Sequence, residues 1–168
     1  MKNLLKMIFV LALALIVSNS LSAQQKGETA AGGYFAYGTG DGFSNFGLGA
    51  KFQWNPIDNL RLEPSFTYFF KKDLVSMWDF STNVHYLFPV TDKVIMYPLA
   101  GLGMIGSSVS IDGFMGNTST SSTKVAFGFG GGVDFDLNKN LVFNLELKYK
   151  LCDGGNRLII SAGLNYKF

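Results

Sequence analysis

Apolar and polar residues alternate over most of the chain after residue 29. A period of two is typical of β-strands that have one apolar face and one polar face. The clearest case is the segment 157–168, in which every second residue from Leu158 to Phe168 is apolar and only Ile159 breaks the alternation. No helical period stands out in this part of the chain. The pattern predicts eight strands: 30–38, 44–54, 60–70, 77–88, 93–104, 124–135, 141–151 and 157–168.

The connections between these strands fall into two classes. The links 55–59, 89–92 and 138–140 are short and carry residues that favour tight turns, such as Asn, Pro and Asp. The links after the first, third, fifth and seventh strands are loops, and 105–123 is the longest of them. Short turns that alternate with loops, between an even number of strands, are typical of an up-and-down membrane barrel.

The placement of charged and aromatic residues distinguishes a membrane barrel from a soluble one. On the apolar face, aromatic residues gather near the strand ends and leave aliphatic residues between them, as at the two interfaces of a bilayer. A soluble lipocalin-like barrel would turn its apolar face inward instead. In six strands every charged residue lies on the face opposite the large apolar side chains: Lys51, Arg61, Glu63, Asp79, Lys124, Asp134, Glu146, Lys148, Lys150, Arg157 and Lys167.

We therefore predict an all-β fold, an eight-stranded antiparallel up-and-down transmembrane β-barrel with its polar face inside. The fifth strand is apolar on both faces, and by analogy with the glycine-rich inner faces we place Tyr97, Leu99, Gly101 and Gly103 inside. The pattern assigns no face to the first strand, 30–38.

The composition is unusual for a soluble domain, because only 15% of the residues are charged and the chain has 16 Phe and 20 Gly. Residues 1–23 are predicted to be a signal peptide, with two lysines ahead of the apolar segment 8–17 and cleavage after Ala23. The barrel domain is then 24–168. Without those two lysines the 14 basic residues become 12, which equals the 12 acidic ones, so no nucleic-acid partner is indicated. The single Cys152 allows no internal disulfide.

The last strand ends in a polar residue, a glycine and two aromatic residues: Ser161, Gly163, Tyr166 and Phe168. This pattern resembles the assembly signal of outer-membrane barrels, and the whole mature chain resembles the small outer-membrane β-barrel family (OmpA/OmpX-like, porin-family). The resemblance implies export to the cell outer membrane and contact with outer-membrane lipid. It also implies that the barrel assembly machinery recognises the C-terminal strand through Gly163, Tyr166 and Phe168. OmpA-like proteins proper continue into a periplasmic peptidoglycan-binding domain, which is not expected here.

The polar face predicts a charged interior. Eight strands leave room inside a barrel only for side chains, and unpaired buried charge is costly, so the charges are expected to compensate one another. Hairpin geometry places Lys51 about opposite Glu63, and Arg61 near His85. We predict a structural ion network and not a ligand site, formed by Lys51, Arg61, Glu63, Asp79, His85, Glu146, Lys148 and Arg157.

No pattern of residues indicates an enzyme, a cofactor or a metal site. Some eight-stranded outer-membrane barrels modify lipid A with a His near a Ser. Here His85 points inward, and Ser81 is four residues away, too far along an extended strand for a hydrogen bond. Asp134 and Asp136 straddle a turn and are expected to be solvated and not to bind calcium. A lipid A-modifying barrel enzyme and a narrow pore stay as alternatives, and a soluble exported lipocalin-like barrel is less favoured.

The segment 105–123 is predicted to be a long extracellular loop rich in Ser, Thr and Gly, with Phe114 and Met115 inside it. Loops on a rigid scaffold commonly carry binding residues. The predicted function is therefore a structural or surface-interaction role in the outer membrane, with Phe114 and Met115 as candidate contacts to an extracellular partner. A solvated loop without a partner fits the sequence equally well.

Overall fold

The computed structural model describes residues 26–40, 43–72, 75–113, 116–153 and 155–168. The predicted signal peptide, like Phe114 and Met115, lies outside these residues. Within them, no helix is long and apolar enough to cross a bilayer. The strand segments are β1 (Thr29–Gly40), β2 (Phe43–Ile57), β3 (Leu60–Lys72), β4 (Val75–Tyr86), β5 (Phe88–Thr91), β6 (Val94–Gly113), β7 (Gly116–Asp136), β8 (Leu141–Cys152) and β9 (Arg157–Lys167).

The strands form one antiparallel sheet that closes on itself. The order of hydrogen-bonded neighbours runs from β4 through β3, β2, β1, β9, β8 and β7 to β6, and β4 also pairs with β6. β4 and β5 share one position in the wall, because both pair with β6 and only Leu87 separates them. The predicted eight-stranded up-and-down barrel is therefore confirmed.

The two faces of the sheet agree with the alternation in the sequence. Tyr97 and Leu99 lie inside, as predicted. The sequence pattern assigned no face to the first strand. In the structure Tyr34 points inward and is 4% exposed, whereas Phe35 points outward and is 70% exposed. The barrel thus has a large exposed apolar exterior and a buried, mainly polar interior.

Glycine at two interior positions makes room for a tyrosine from the neighbouring strand. Tyr34 is the register partner of Gly49, and a Cβ atom there would overlap the tyrosine ring. Tyr97 is the register partner of Gly132, where an added Cβ would lie 2.6 Å from the ring. Since both tyrosines also make hydrogen bonds inside the barrel, space requires a glycine opposite each of them.

The short turns lie at the same end of the barrel as the N-terminus of β1 and the C-terminus of β9. The backbone N–H of Phe168 donates to the carbonyl of Thr29 at 3.0 Å. The turns 58–59, 92–93 and 137–140 join successive strands at this end. We call it the turn end, and we call the opposite end the loop end.

The predicted turn 89–92 is mostly strand. β5 continues the pairing with β6 after the break at Leu87, and the ladder accommodates Pro89 through a shift in register next to it. Only Asp92 and Lys93 form the turn. Pro89, which favours a turn, therefore did not mark where the strand ends.

The predicted register between β2 and β3 is wrong by two residues. Lys51 lies opposite Ser65 and not opposite Glu63, because the turn is formed by 58–59, so that Ile57 pairs with Leu60 and the strands meet later in the chain than predicted. The shift displaces Lys51 along the barrel axis but keeps its side chain inside, and it still forms an ion pair with Glu63.

The prediction that 105–123 is a loop is wrong, because most of this segment is β-strand. β6 and β7 continue through it as paired strands, from Ile105 opposite Lys124 to Gly113 opposite Gly116, without a shift in register. Serine and threonine are compatible with strands, and threonine is enriched in them. The backbone groups of this segment therefore pair with the facing strand, and the segment is a β-hairpin, which we call the β6–β7 hairpin (105–113 and 116–124).

Candidate functional sites

The charged side chains of the polar face meet in the middle of the barrel. Lys51, from β2, has its Nζ 2.8 Å from a carboxylate oxygen of Glu146 and 3.3 Å from one of Glu63. Lys148 Nζ lies 2.7 Å from the second oxygen of Glu146 and 4.0 Å from Glu63. These four side chains come from three strands and are almost fully buried. Two ammonium groups and two carboxylates thus share one enclosed space.

A separate ion pair crosses the interior from β3 to β7. Arg61 Nη1 lies 2.8 Å from Asp134 Oδ2, and both side chains are buried. The expectation that Asp134 is solvated is therefore wrong, because it occupies an inward position of β7 and is only 1% exposed. Asp136 lies further towards the turn end and pairs with Lys167 at 2.8 Å.

His85 lies against this group of charges. Its ring stacks on that of Tyr97 at a centroid distance of 4.6 Å, and its Nε2 is 3.7 Å from Glu63 Oε1. The Tyr97 hydroxyl donates to Glu146 at 3.0 Å and accepts from the Asn144 amide at 2.5 Å. The predicted neighbours Arg61 and His85 are register partners on β3 and β4. We define the central charge cluster as Lys51, Arg61, Glu63, His85, Asp134, Glu146 and Lys148.

Asp79 and Arg157, which the sequence also assigned to the ion network, lie outside the central charge cluster. Asp79 pairs with Lys150 at 2.5 Å, and Ser81 donates to Asp79 at 2.6 Å and accepts from Lys150. The Arg157 guanidinium contacts the sulfur of Met77. Lys150 belongs to the interior network, although the predicted network did not include it. The alternation in the sequence already placed Lys150 on the same inner face as Lys148.

Apolar side chains lie on both sides of the charges along the barrel axis. One group, on the side of the barrel formed by β4, β5 and β6, extends from the turn end to the level of His85: Leu87, Ile95, Tyr97 and Leu99. A second group lies near the loop end: Tyr34, Ala36, Phe69, Met77, Ile105, Ala126 and Ile159. We call them the turn-end and loop-end apolar layers. Arg61, Glu63 and His85 are each 0% exposed, and the other members of the central charge cluster are at most 5% exposed.

Three side chains of the cluster have a spacing that a metal ion could use. Glu63, His85 and Glu146 each offer one ligand atom, and these atoms lie within 4.8 Å of one another. However, Lys51 and Lys148 already pair with both glutamates, and Arg61 pairs with Asp134. Because three cations balance three carboxylates, a divalent cation would add two uncompensated charges to a buried site. The geometry therefore favours an ion network over a metal centre.

The C-terminal pattern residues lie on the strand that closes the barrel against β1. Tyr166 and Phe168 project outward, and their ring centroids are 5.8 Å apart. Gly163 lies opposite Tyr34, and a Cβ there would lie 2.5 Å from the Gly33 carbonyl oxygen and 2.6 Å from Tyr34 Cβ. Two adjacent exposed aromatic rings at the turn end suit an aromatic belt at a membrane interface. Recognition of these residues by the assembly machinery stays a prediction.

The β6–β7 hairpin extends beyond the strands on either side of it. β6 pairs with β4 as far as Val109, and β7 pairs with β8 only from Ala126 onwards. Nearer the tip, among the described residues, the two strands of the hairpin pair only with each other. The candidate contacts Phe114 and Met115 fall between these strands, outside the described residues.

A closed antiparallel barrel with an apolar exterior and a charged, buried interior defines a membrane-spanning β-barrel, since it leaves no edge strand inside the bilayer. Residues 7–168 match the family described as outer membrane protein beta-barrel domain. The chain belongs to this family and is an outer-membrane protein. A comparison with curated proteins found no match.

Several solved structures share the fold at low sequence identity. Neisserial surface protein A (NspA) has a TM-score of 0.65 and 18% identity, over 84% of this chain and 96% of that one. Ail of Yersinia pestis, in complex with the heparin analogue sucrose octasulfate, has a TM-score of 0.63 and 20% identity, over 86% and 100%. The N-terminal barrel of Pseudomonas aeruginosa OprF has a TM-score of 0.62 and 15% identity, also over 86% and 100%. These likenesses show the fold alone.

Proposed function

We propose that this protein is a closed, non-conducting outer-membrane barrel that presents the β6–β7 hairpin to a partner outside the cell. The observation that carries the proposal is the extension of β6 and β7 beyond both neighbouring strands. In barrels of this type the short turns face the periplasm and the longer connections face outward. At ~3.3 Å per residue, the strand from Val125 to Gly116 extends by roughly 30 Å beyond the end of β8.

The two apolar layers support a closed barrel and argue against a narrow pore. An ion that crosses the barrel would have to pass both layers without water, and this carries a large desolvation cost. The charges between the layers are compensated within the central charge cluster and so attract no permeant ion. The interior therefore holds the barrel together and does not conduct.

The position of the only histidine argues against a lipid A-modifying enzyme. His85 is fully buried inside the barrel and stacked on Tyr97, so it reaches neither the lipid-facing surface nor the loop end. The Ser81 hydroxyl, on the same face, is held by Asp79 and Lys150. Neither side chain could form a nucleophilic pair near the acyl chains of a lipid.

The charge at the loop end bears on the kind of partner. Ail was solved with a polyanion, a heparin analogue. In this chain the strand ends and connections 41–42, 71–75, 105–125 and 152–157 contain four basic residues and four acidic ones. A polyanion site needs a clear excess of positive charge. The balance therefore favours an uncharged or polypeptide partner over a sulfated saccharide.

The C-terminal strand is the proposed contact with the barrel assembly machinery. Its support is the exposed pair Tyr166 and Phe168 at the turn end of β9, together with the small Gly163 on the inner face. Replacing both aromatics with alanine should lower the amount of folded barrel in the outer membrane without changing its refolding in detergent. Equal loss in both settings would indicate a purely structural role.

The surface-contact function can be tested by shortening the hairpin. Ser108 and Ser121 are register partners, so deleting 109–120 and joining them through Asn-Gly keeps the two strands paired in a tight hairpin. Cells that display the full chain should adhere to surfaces coated with a panel of extracellular proteins, and cells with the shortened chain should not. Heparin-coated surfaces serve as the comparison for a polyanion partner, and gel mobility of unheated samples checks that both barrels fold. Equal adhesion of the two chains, or no adhesion by the full chain, would contradict the proposal.

A further inference from the structure

Pro64 interrupts the hydrogen-bonded ladder between β2 and β3. Among the positions of β3 that pair with β2, Leu62 is followed directly by Ser65. Pro64 falls in this gap, and its ring nitrogen has no hydrogen to donate. On the other side of β3, the ladder with β4 runs through Pro64 and Thr82 without a gap. The missing donor therefore belongs to the β2–β3 ladder, which also contains a register shift nearer the turn end.

Pro98 interrupts the ladder between β4 and β6 in the same way. Pairing stops at His85 opposite Leu99 and resumes at Phe88 opposite Met96, in the same register. The ladder of β6 with β7 runs through Pro98 without a gap. The break between β4 and β5 is therefore the place where Pro98 offers no N–H to the strand beside it.

The turn-end section of β3 and β4 thus lies between two weakened ladders. We call this section, 60–64 and 82–87, the proline-flanked panel. Its own two strands pair without a gap, from Leu60 opposite Tyr86 to Pro64 opposite Thr82. On the opposite wall, β9 pairs with both β1 and β8 without a gap. Because hydrogen bonds between neighbouring strands hold a barrel wall together in lipid, the panel is held less strongly than the opposite wall.

The inner face of the panel carries part of the central charge cluster. Arg61, Glu63 and His85 all point inward from it, and Arg61 pairs with Asp134 across the barrel at 2.8 Å. The turn-end apolar layer bridges the weakened β4–β6 ladder, because Leu87 lies in the panel and the other members of the layer lie on β6. These interior contacts hold the panel closed where its ladders are interrupted.

We propose that the proline-flanked panel is a hinged section of the wall, which opens at the turn end while the rest of the barrel stays paired. Opening separates Leu87 from β6 and admits periplasmic water to Arg61, Glu63 and His85. The loop-end apolar layer draws residues from six strands and stays in place, so an open panel exposes the charges without making a pore. The interior thereby exchanges water and protons with the periplasm alone.

Asn83 in the panel and Ser161 in the opposite wall are a matched pair of positions for a cysteine. Both side chains point inward and are buried, at 1% and 2% exposed. From Ser161, the register partners lead around the barrel to Met77 of β4 in one direction and to Leu87 in the other. Asn83 is close to the midpoint between these two residues, so the two positions lie at about the same depth.

Labelling of these cysteines tests whether the panel opens. The full-length chain carries Cys152→Ser, is folded in lipid nanodiscs and is exposed to a charged maleimide that does not enter lipid. We expect Asn83→Cys to react roughly tenfold faster than Ser161→Cys, or more, because local opening exposes only the panel. Gel mobility of unheated samples checks that both variants fold. Equal rates in two folded variants would overturn the proposal.

Restoring the missing donors then links the opening to the prolines. Pro64 and Pro98 both lie on the outer face of the barrel, and valine suits a strand and supplies an N–H. Pro64→Val combined with Pro98→Val should slow labelling of Asn83→Cys roughly fivefold or more. Pro89→Val is the matched control, since β5 pairs with β6 alone and Pro89 is itself paired there. Labelling that does not change on repair, or that slows equally with the control, would contradict a hinge at the prolines.

Amide exchange in the native chain gives a second measurement that needs no cysteine. The amides of 61–63 and 83–86 should exchange roughly tenfold faster than those of 159–163 in β9, or more, since the two groups lie at similar depths in opposite walls. The repaired chain, with Pro64→Val and Pro98→Val, should lose most of this difference. Equal exchange in the two walls of the native chain would overturn the proposal even if a cysteine variant fails to fold.

Discussion

At the scale of single residues, Glu63 is the acid that links most of the central charge cluster. It is fully buried, pairs with Lys51 at 3.3 Å, accepts from Gln53 at 2.9 Å and lies 3.7 Å from the His85 ring nitrogen. Lys148 is at the limit of its reach, 4.0 Å away. The cluster is close to electrically balanced, so no member can lose its charge without leaving another uncompensated.

Replacing Glu63 with glutamine should therefore destabilise the barrel strongly. Gln keeps the shape of the side chain but leaves Lys51 and Lys148 to share Glu146 alone. Breaking a buried ion pair on one side costs about 3 kcal/mol or more. The urea midpoint of the refolded barrel in detergent measures this cost, and Asp92→Asn, at an exposed turn, is the matched control. A midpoint for Glu63→Gln equal to that of the control would mean that the cluster adds no net stability.

The interior shows how far residue-level prediction reaches. The period of two assigned each charge to the inner face, since inward and outward positions alternate along a strand. It could not assign partners such as Lys51 and Glu146, because these strands are not neighbours and long side chains cross the interior. Asp134 was missed as a partner of Arg61 for the same reason, because β7 and β3 are not neighbours. Its position near a turn in the sequence also suggested exposure, although the side chain is buried.

At the scale of elements, the strands were predictable wherever one face is apolar and the other polar. The β6–β7 hairpin was not, because beyond the bilayer no apolar face is needed and the period of two disappears. A Ser/Thr-rich segment then reads as a loop, although its backbone pairs over the full length from Ile105 to Gly113. The predicted turns 55–59 and 89–92 were too long, because strand pairing continues through most of each and leaves only 58–59 and 92–93 as turns.

The β2–β3 turn gives a prediction at this scale. Asn59 has a φ of 63°, the left-handed conformation that asparagine and glycine tolerate better than other residues. Asn59→Ala should lower the free energy of unfolding by about 1 kcal/mol, and Asn59→Gly should leave it nearly unchanged. Urea unfolding of the two variants side by side measures the difference. Equal stability of both would show that the turn relaxes to another conformation.

At the scale of the whole molecule, the barrel is built in layers along its axis. Charged side chains occupy the middle, and an apolar layer lies towards each end. The loop-end layer draws residues from six strands, so it forms only when the barrel closes, whereas the turn-end layer comes from β6 and the adjoining Leu87. The family match places this assembly in the outer membrane, where the exposed aromatic and aliphatic exterior meets lipid. If one layer is removed, the other should therefore still keep water from passing through the barrel.

This arrangement predicts how the barrel behaves as a conductor. In planar lipid bilayers the native chain should give no stepwise current, and neither should a variant with one layer truncated, by Phe69→Ala with Met77→Ala or by Leu87→Ala with Leu99→Ala. Combining all four substitutions removes apolar bulk on both sides of the charges, admits water to the polar middle and should produce conductance steps. Gel mobility before heating checks that each variant is folded. Current through the native chain, or equal current through a single-layer variant and the combined one, would show that the layers do not close the barrel.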